Sequence, residues 1–295
     1  MAEVRTDAPR TTEAATVTRH RVSDFEQWRI ATTLQLGHYL RTNRFYGLLG
    51  FVTLVSSLTL AFQVAAGIPA IQIEQLYRSS EYLSNNLAYT GLWIILAAAF
   101  FGGDALGVDF STSAGYYMLV LPIRRSVLLA GRYTAATLVT FAIVGVNYAL
   151  DLAGGVYFFG GSTIPWGLLL ESLGIAALFA LAALSVAFCV SAFVRSPSAG
   201  VLVTVLALYV GFTILQAVLE LAGIEPWFSF PYAGTAMASV MDTDFVHQQT
   251  IPLGAQQYYT IWVANVSEGI AIMAAYLAVF LPLSIFLYQR QESTG

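Results

Sequence analysis

Lysine is missing from this chain, cysteine occurs once, and charge of either sign is scarce. All 13 basic residues are arginine. A phosphate loop of the G-x-x-x-x-G-K-[ST] type is therefore excluded, since its lysine must reach the nucleotide phosphates. The single cysteine, Cys189, rules out an intrachain disulfide and reads as a small buried apolar residue. No H-E-x-x-H is present. The three histidines, His20, His38 and His247, are scattered and are not expected to gather round one metal. Charged residues make up 10% of the chain, where soluble proteins carry about 25%. With 57% hydrophobic residues among 295, a soluble domain of this size could not hide its apolar surface.

What the chain does have is six long apolar stretches, at roughly 45–66, 87–108, 127–151, 167–194, 199–221 and 264–288. A helix rises about 1.5 Å per residue, so roughly 20 apolar residues cross a hydrocarbon core of about 30 Å. The fold expected is all-α and integral to the membrane, with six transmembrane helices. Arginine sets the orientation. Arg5, Arg10, Arg19, Arg21, Arg29, Arg41 and Arg44 precede the first stretch, Arg124, Arg125 and Arg132 lie between the second and third, Arg195 lies between the fourth and fifth, and Arg290 follows the last. Only Arg78 falls on the other side. The positive-inside rule then places both termini in the cytoplasm, and the expected location is the cell membrane, as a multi-pass protein.

Residues 1–22 are polar and expected to be disordered, with no cleaved signal peptide expected. Ser23 followed by Glu26 fits a capping box. Phe25, Trp28, Leu36 and Tyr39 fall near one face, so 23–44 reads as an amphipathic helix at the cytoplasmic interface. The segment 152–166 carries Gly154, Gly155, Gly160, Gly161 and Pro165 and reads as a turn-rich outer loop. The last outer segment, about 222–263, is rich in aromatics, among them Trp227, Phe228, Phe230 and Tyr232. It reads as interfacial anchoring or as short re-entrant helices.

Two groups of residues are candidates for function. The stretch from Asp109 through Gly115, Leu121 and Pro122 to Arg124 and Arg125 is too polar at its start to span. It reads as a short helix along the inner surface, stopped by Pro122, with Ser126 capping the next span. An element held there can transmit force from a soluble partner. The membrane acids form the second group. Asp151, Glu171, Glu220 and Glu268 map to outer span ends, and Asp104 and Asp109 to the inner end of the second span. The outer four read either as solvated or dipole-compensating carboxylates or as an acidic outer vestibule that helps release a substrate or cation. Phe101-Gly102-Gly103-Asp104 is faintly like an intramembrane aspartyl protease motif. Asp104 and Asp151 fall at opposite membrane faces, however, and cannot share a proton.

Over about 23–290 the sequence resembles the membrane subunits of type 2 ABC exporters, the ABC-2 permeases. Ser23–Arg44 looks like that family's elbow helix. Asp104, Asp109, Gly115, Leu121-Pro122-Ile123-Arg124-Arg125 and Gly131-Arg132 are similar to its progression of acidic residue, Gly-Thr, Pro-x-Arg and Gly-Lys. Arg195-Ser196-Pro197-Ser198 followed by a long aromatic outer segment matches its layout. The resemblance implies a transport subunit that is not itself an enzyme. It also implies a second permease copy or paralogue, a separate ATP-binding subunit carrying ATP and magnesium, and docking of that subunit through 109–125. The expected partners are that ATPase, the second permease and membrane lipid, with no nucleic acid, and no cofactor is expected in this chain. The rival readings are an ion-coupled carrier or channel using Asn147, Ser185 and Thr204, a membrane enzyme, and a permease-like subunit for metal-centre maturation.

Overall fold

The computed structural model describes residues 23–66, 79–107, 124–194, 196–242, 246–252 and 258–290. Helix α1 (Asp24–Arg41) is followed by α2 (Asn43–Ala66), α3 (Ser79–Leu87) and α4 (Thr90–Gly102). Then come α5 (Arg125–Phe159), α6 (Trp166–Phe193), α7 (Pro197–Val205), a π turn at Leu206–Gly211 and α8 (Phe212–Leu221). The short helices α9 (Phe230–Gly234) and α10 (Ala236–Ser239) lead into a hairpin, β1 (Gln248–Pro252) and β2 (Tyr258–Trp262), before α11 (Val266–Arg290). Among these, six helical stretches are long and apolar enough to cross a membrane: Asn43–Ala65, Ser79–Gly102, Arg125–Phe159, Trp166–Phe193, Pro197–Leu221 and Val266–Arg290. This is the helical architecture of a multi-pass membrane protein.

The spans do not share the core equally. Over an apolar 18-residue stretch of each, 56%, 56% and 67% of the residues are buried in the second, third and fourth spans, against 11% in the first, fifth and sixth. The inner three therefore form the core, and the outer three turn one face to lipid or another protein, with α11 packed on α6 by its other face. Alanine and phenylalanine set the packing of the core. Ala176, Ala180, Ala183 and Ala187 on α6 are fully buried, with Phe179 and Phe188 filling the gaps between helices. Small residues let backbones approach where lipid supplies no hydrophobic drive for association.

Two spans differ from the apolar runs in their bounds. The second span, expected at 87–108, begins at Ser79 and stops at Gly102. Its polar first turns are buried against partners: Ser79 Oγ donates to the Thr163 carbonyl at 2.6 Å, and Asn86 lies in a side-chain network. Hydropathy therefore misses them. The third span, expected to end at residue 151, continues to Phe159. Gly154 and Gly155 were expected in a loop but sit inside the helix. A Cβ on Gly154 would meet Tyr82 Oη at 2.1 Å, so the glycine is there for close packing rather than turning. The helix ends instead at Gly160, whose φ of +83° favours glycine. At its start α5 opens at Arg125 with Arg124 in the cap position, so Ser126 is not the cap. The turn between the fourth and fifth spans is short, and Pro197 takes the first helical position of α7.

The long segment before α11 dips into the bundle. Phe230 stacks on Phe179 with ring centroids 4.3 Å apart and meets Tyr276 edge-on at 5.2 Å. Ser172 Oγ donates to the Met237 carbonyl at 2.7 Å. The aromatics thus divide, with Phe230 and Tyr232 fully buried and Trp227 67% exposed. The antiparallel hairpin, with Thr250 opposite Thr260, was not anticipated, although its alternating Thr, Ile, Tyr and Trp residues carry a strand signal.

Candidate functional site

At the end of the bundle that carries α1 and Arg290, helix α1 is held by specific contacts. Ser23 Oγ accepts from the Glu26 amide at 3.2 Å and starts the helix. Phe25 is 69% exposed, so it stands apart from the buried face that Ala31 and Tyr39 form. Trp28 Nε1 donates to Thr134 Oγ1 at 3.2 Å. A Cβ on Gly131 would lie 2.7 Å from Ala31 Cβ, so α1 crosses α5 where glycine leaves room. Tyr39 donates to the Phe101 carbonyl at 2.6 Å. Burial, and secondarily the Asp104 charge, push its phenol well above the ordinary range.

The turn after α4 is tied on every side. Asp104 pairs with Arg44 at the start of α2. Burial raises the Asp104 carboxyl, and the Arg44 charge only partly opposes that rise. Arg132, itself buried, donates to the Ala105 carbonyl at 2.8 Å. The amides of Leu106 and Gly107 donate to Ser191 Oγ at 3.0 and 3.3 Å. Behind the turn, Gly103 meets Gly200 of α7 backbone to backbone.

This turn leads directly into the sequence-predicted coupling segment. Asp109, Gly115, Leu121 and Pro122 lie outside the described residues. The far flank is described. Arg124 Nη1 lies 2.8 Å from Asp24 Oδ2, and the Arg125 guanidinium sits over the Tyr288 ring, 5.7 Å from its centroid. Both flanks of 108–123 are thus fastened to the bundle: the first through α2, α5 and α6, the second through α1 and α11.

At the opposite end, the four expected vestibule acids fall into separate groups. Asp151 lies two turns inside α5 rather than at its end and accepts from Asn147 Nδ2 at 2.9 Å. Glu171 is exposed in the second turn of α6. Glu220 is buried and accepts from Gln216 Nε2 at 2.8 Å and from the Tyr259 phenol. Glu268 accepts from the Asn265 amide at 3.1 Å and from Tyr232 at 3.3 Å. Tyr232 also donates to Glu225 at 2.6 Å, and both carboxylates add to burial in pushing its phenol up.

The hydrogen bond to Glu220, followed by burial, pushes the Tyr259 phenol up to about 12. A raised folded value means that this contribution to stability is whole below the ordinary tyrosine range and is lost as pH rises toward 12. We expect alkaline unfolding of the wild type to show a component that Tyr259→Phe lacks, read by circular dichroism across an alkaline titration.

Sequence reasoning missed a polar network between the first three spans. Asn147 accepts from Ser56 Oγ and donates to Thr90 Oγ1, each at 3.0 Å. Nearer the far end, Tyr82 donates to Gln63 Oε1 at 2.7 Å and Gln63 Nε2 donates to Asn86 Oδ1 at 2.9 Å. The spacing was visible: Ser56 and Gln63, Asn147 and Asp151, and Tyr82, Asn86 and Thr90 each share a helical face. Ser185 and Thr204 instead bond to carbonyls of their own helices, at Ala182 and Gly200. Among the described residues, one histidine–carboxylate group is close enough to hold a metal ion, formed by Glu225, His247 and Glu268.

No protein-family model matches the chain, and no curated protein matches it significantly.

Proposed function

We propose that this chain is the membrane-spanning subunit of an ATP-driven exporter of the ABC-2 type, powered by a separate ATP-binding subunit on the cytoplasmic face. The observation that carries this reading is the fastening of both flanks of 108–123. A segment anchored through Asp104, Arg132 and Ser191 on one side and through Arg124 and Arg125 on the other passes a push to four spans at once. Helix α1, laid across α5 at Gly131, acts as the elbow that shares the load. The sparsely buried first, fifth and sixth spans leave surface for a second permease.

A second reading, an ion-coupled carrier, draws on the network of Ser56, Thr90, Asn147 and Asp151, because ionisable and polar groups inside a membrane mark ion paths.

Affinity purification of the tagged chain from native membranes decides between them. The exporter reading expects a stoichiometric ATPase with a phosphate loop, and at least a tenfold loss of it when 109–125 is scrambled with membrane insertion intact. Purification without an ATPase, repeated in nanodiscs, would overturn it.

A further inference from the structure

We infer that Glu225, His247 and Glu268 form a zinc-class divalent cation site at the end of the bundle opposite α1 and Arg290. The inference is independent of the transporter reading. The three residues come from three separate places: the loop before α9, the approach to β1 and the first turn of α11. Even so, one ligand atom from each lies within 4.8 Å of the other two. His247 Nε2 and Glu225 Oε1 are 3.6 Å apart, close to the edge of about 3.4 Å in a tetrahedral zinc site built on bonds of about 2.0–2.1 Å. An ion equidistant from three atoms at the 4.8 Å limit would be about 2.8 Å from each. Reaching zinc bond lengths therefore requires the side chains to close by less than about 1 Å.

The surroundings are those of a metal ligand set. His247 Nδ1 lies 2.9 Å from the Val263 carbonyl. Donation there puts the proton on Nδ1 and turns the Nε2 lone pair toward the carboxylates, which is the usual outer-shell arrangement of a metal-bound histidine. The same two residues are joined by the backbone bond from the Val263 amide to the His247 carbonyl, at 3.0 Å, so the ring is held on a fixed frame. Tyr232, fully buried, directs its hydroxyl at both Glu225 and Glu268 and orients them together. One imidazole and two carboxylates suit zinc better than calcium or magnesium, which prefer all-oxygen shells. Three protein ligands leave a coordination position for water or an incoming group. A bound ion would pin the hairpin and the 225 loop to the start of the last span.

The test uses the full chain in metal-free nanodiscs, titrated with zinc and separately with cobalt(II). We expect one equivalent of zinc by metal analysis and calorimetry, and a visible cobalt absorption band of low coordination number. H247Q, E225Q and E268Q should each weaken binding by more than about 100-fold, and Tyr232→Phe by about 10–100-fold, as befits an outer-shell partner. Size-exclusion profiles show whether each variant is folded, and any one folded ligand variant suffices for the comparison. No stoichiometric binding by the wild type, binding undiminished in folded H247Q or E225Q, or binding of calcium in preference to zinc would each overturn the assignment.

Discussion

Replacing Gly200 with leucine is expected to abolish recovery of folded protein from the membrane. A Cβ at Gly200 would lie 2.0 Å from the Gly103 carbonyl oxygen, and one at Gly103 would lie 3.0 Å from the Gly200 carbonyl oxygen. The obstacle is backbone on both sides, so no rotamer change relieves it. The start of α7 and the turn after α4 would have to separate, and that turn is already fixed by Arg132 and Ser191. Overpacking costs about 1–3 kcal/mol in cores that can adjust. Gly200→Ala should fall at or above the upper end of that range, and leucine well beyond it. Gly145→Ala is the control. Nothing lies within 4 Å of a Cβ there, and a stabilisation of up to about 1 kcal/mol is expected from helix propensity alone. The monodisperse fraction on size exclusion, with thermal unfolding in nanodiscs, measures both. Wild-type behaviour of G200L would show that the two helices do not cross here.

Arg44→Ala should destabilise the chain by about 1–3 kcal/mol, less than the 3–5 kcal/mol typical of breaking a fully buried pair, because the Arg44 side chain is 47% exposed and partly screened. The damage comes from Asp104, which stays buried with its charge uncompensated. D104N in the same background should recover most of the loss, since it removes the charge that needed a partner. The pH dependence has a defined sign. Burial raises the Asp104 carboxyl in the folded protein. Its contribution is therefore whole below the ordinary carboxylate range and declines as pH rises through the elevated value. Removing Arg44 takes away the main opposing charge and moves that decline to higher pH. R44A should thus be more deficient at neutral than at acidic pH, as read by thermal unfolding at the two conditions. A deficit independent of pH, or undiminished in the double variant, would point to lost packing of the arginine stem instead.

The six spans were legible because hydropathy and helix length are written residue by residue. The start of α1 was legible because a serine three residues before a glutamate is a local signal. What escaped is what depends on partners. Ser79 and Asn86 fall outside the expected span at 87–108, because the Thr163 carbonyl and Gln63 that bury them lie elsewhere in the chain. Gly154 and Gly155 read as turn because their use, admitting Tyr82 and Leu83, lies in another helix. The acids were counted correctly, but depth estimated from sequence put Asp151 at a span end, and the helix continues past it to Phe159. His247 was set aside because the other two histidines fall on the opposite side of the expected spans. Its neighbours proved to be Glu225 and Glu268, which sequence distance alone does not join.

Helix α5 is one unbroken helix of 35 residues, which at 1.5 Å per residue makes a rod of about 52 Å. Fitting that length wholly inside a hydrocarbon layer of about 30 Å would require a tilt of about 55°, beyond the range of about 0–40° that membrane helices adopt. The rod must therefore reach beyond the hydrocarbon layer. Its one end meets Asp24 and Tyr288 through Arg124 and Arg125, and the other meets Tyr82 through Phe158 and Phe159. A rod held at both ends ties the two faces of the bundle together through one continuous run of backbone hydrogen bonds.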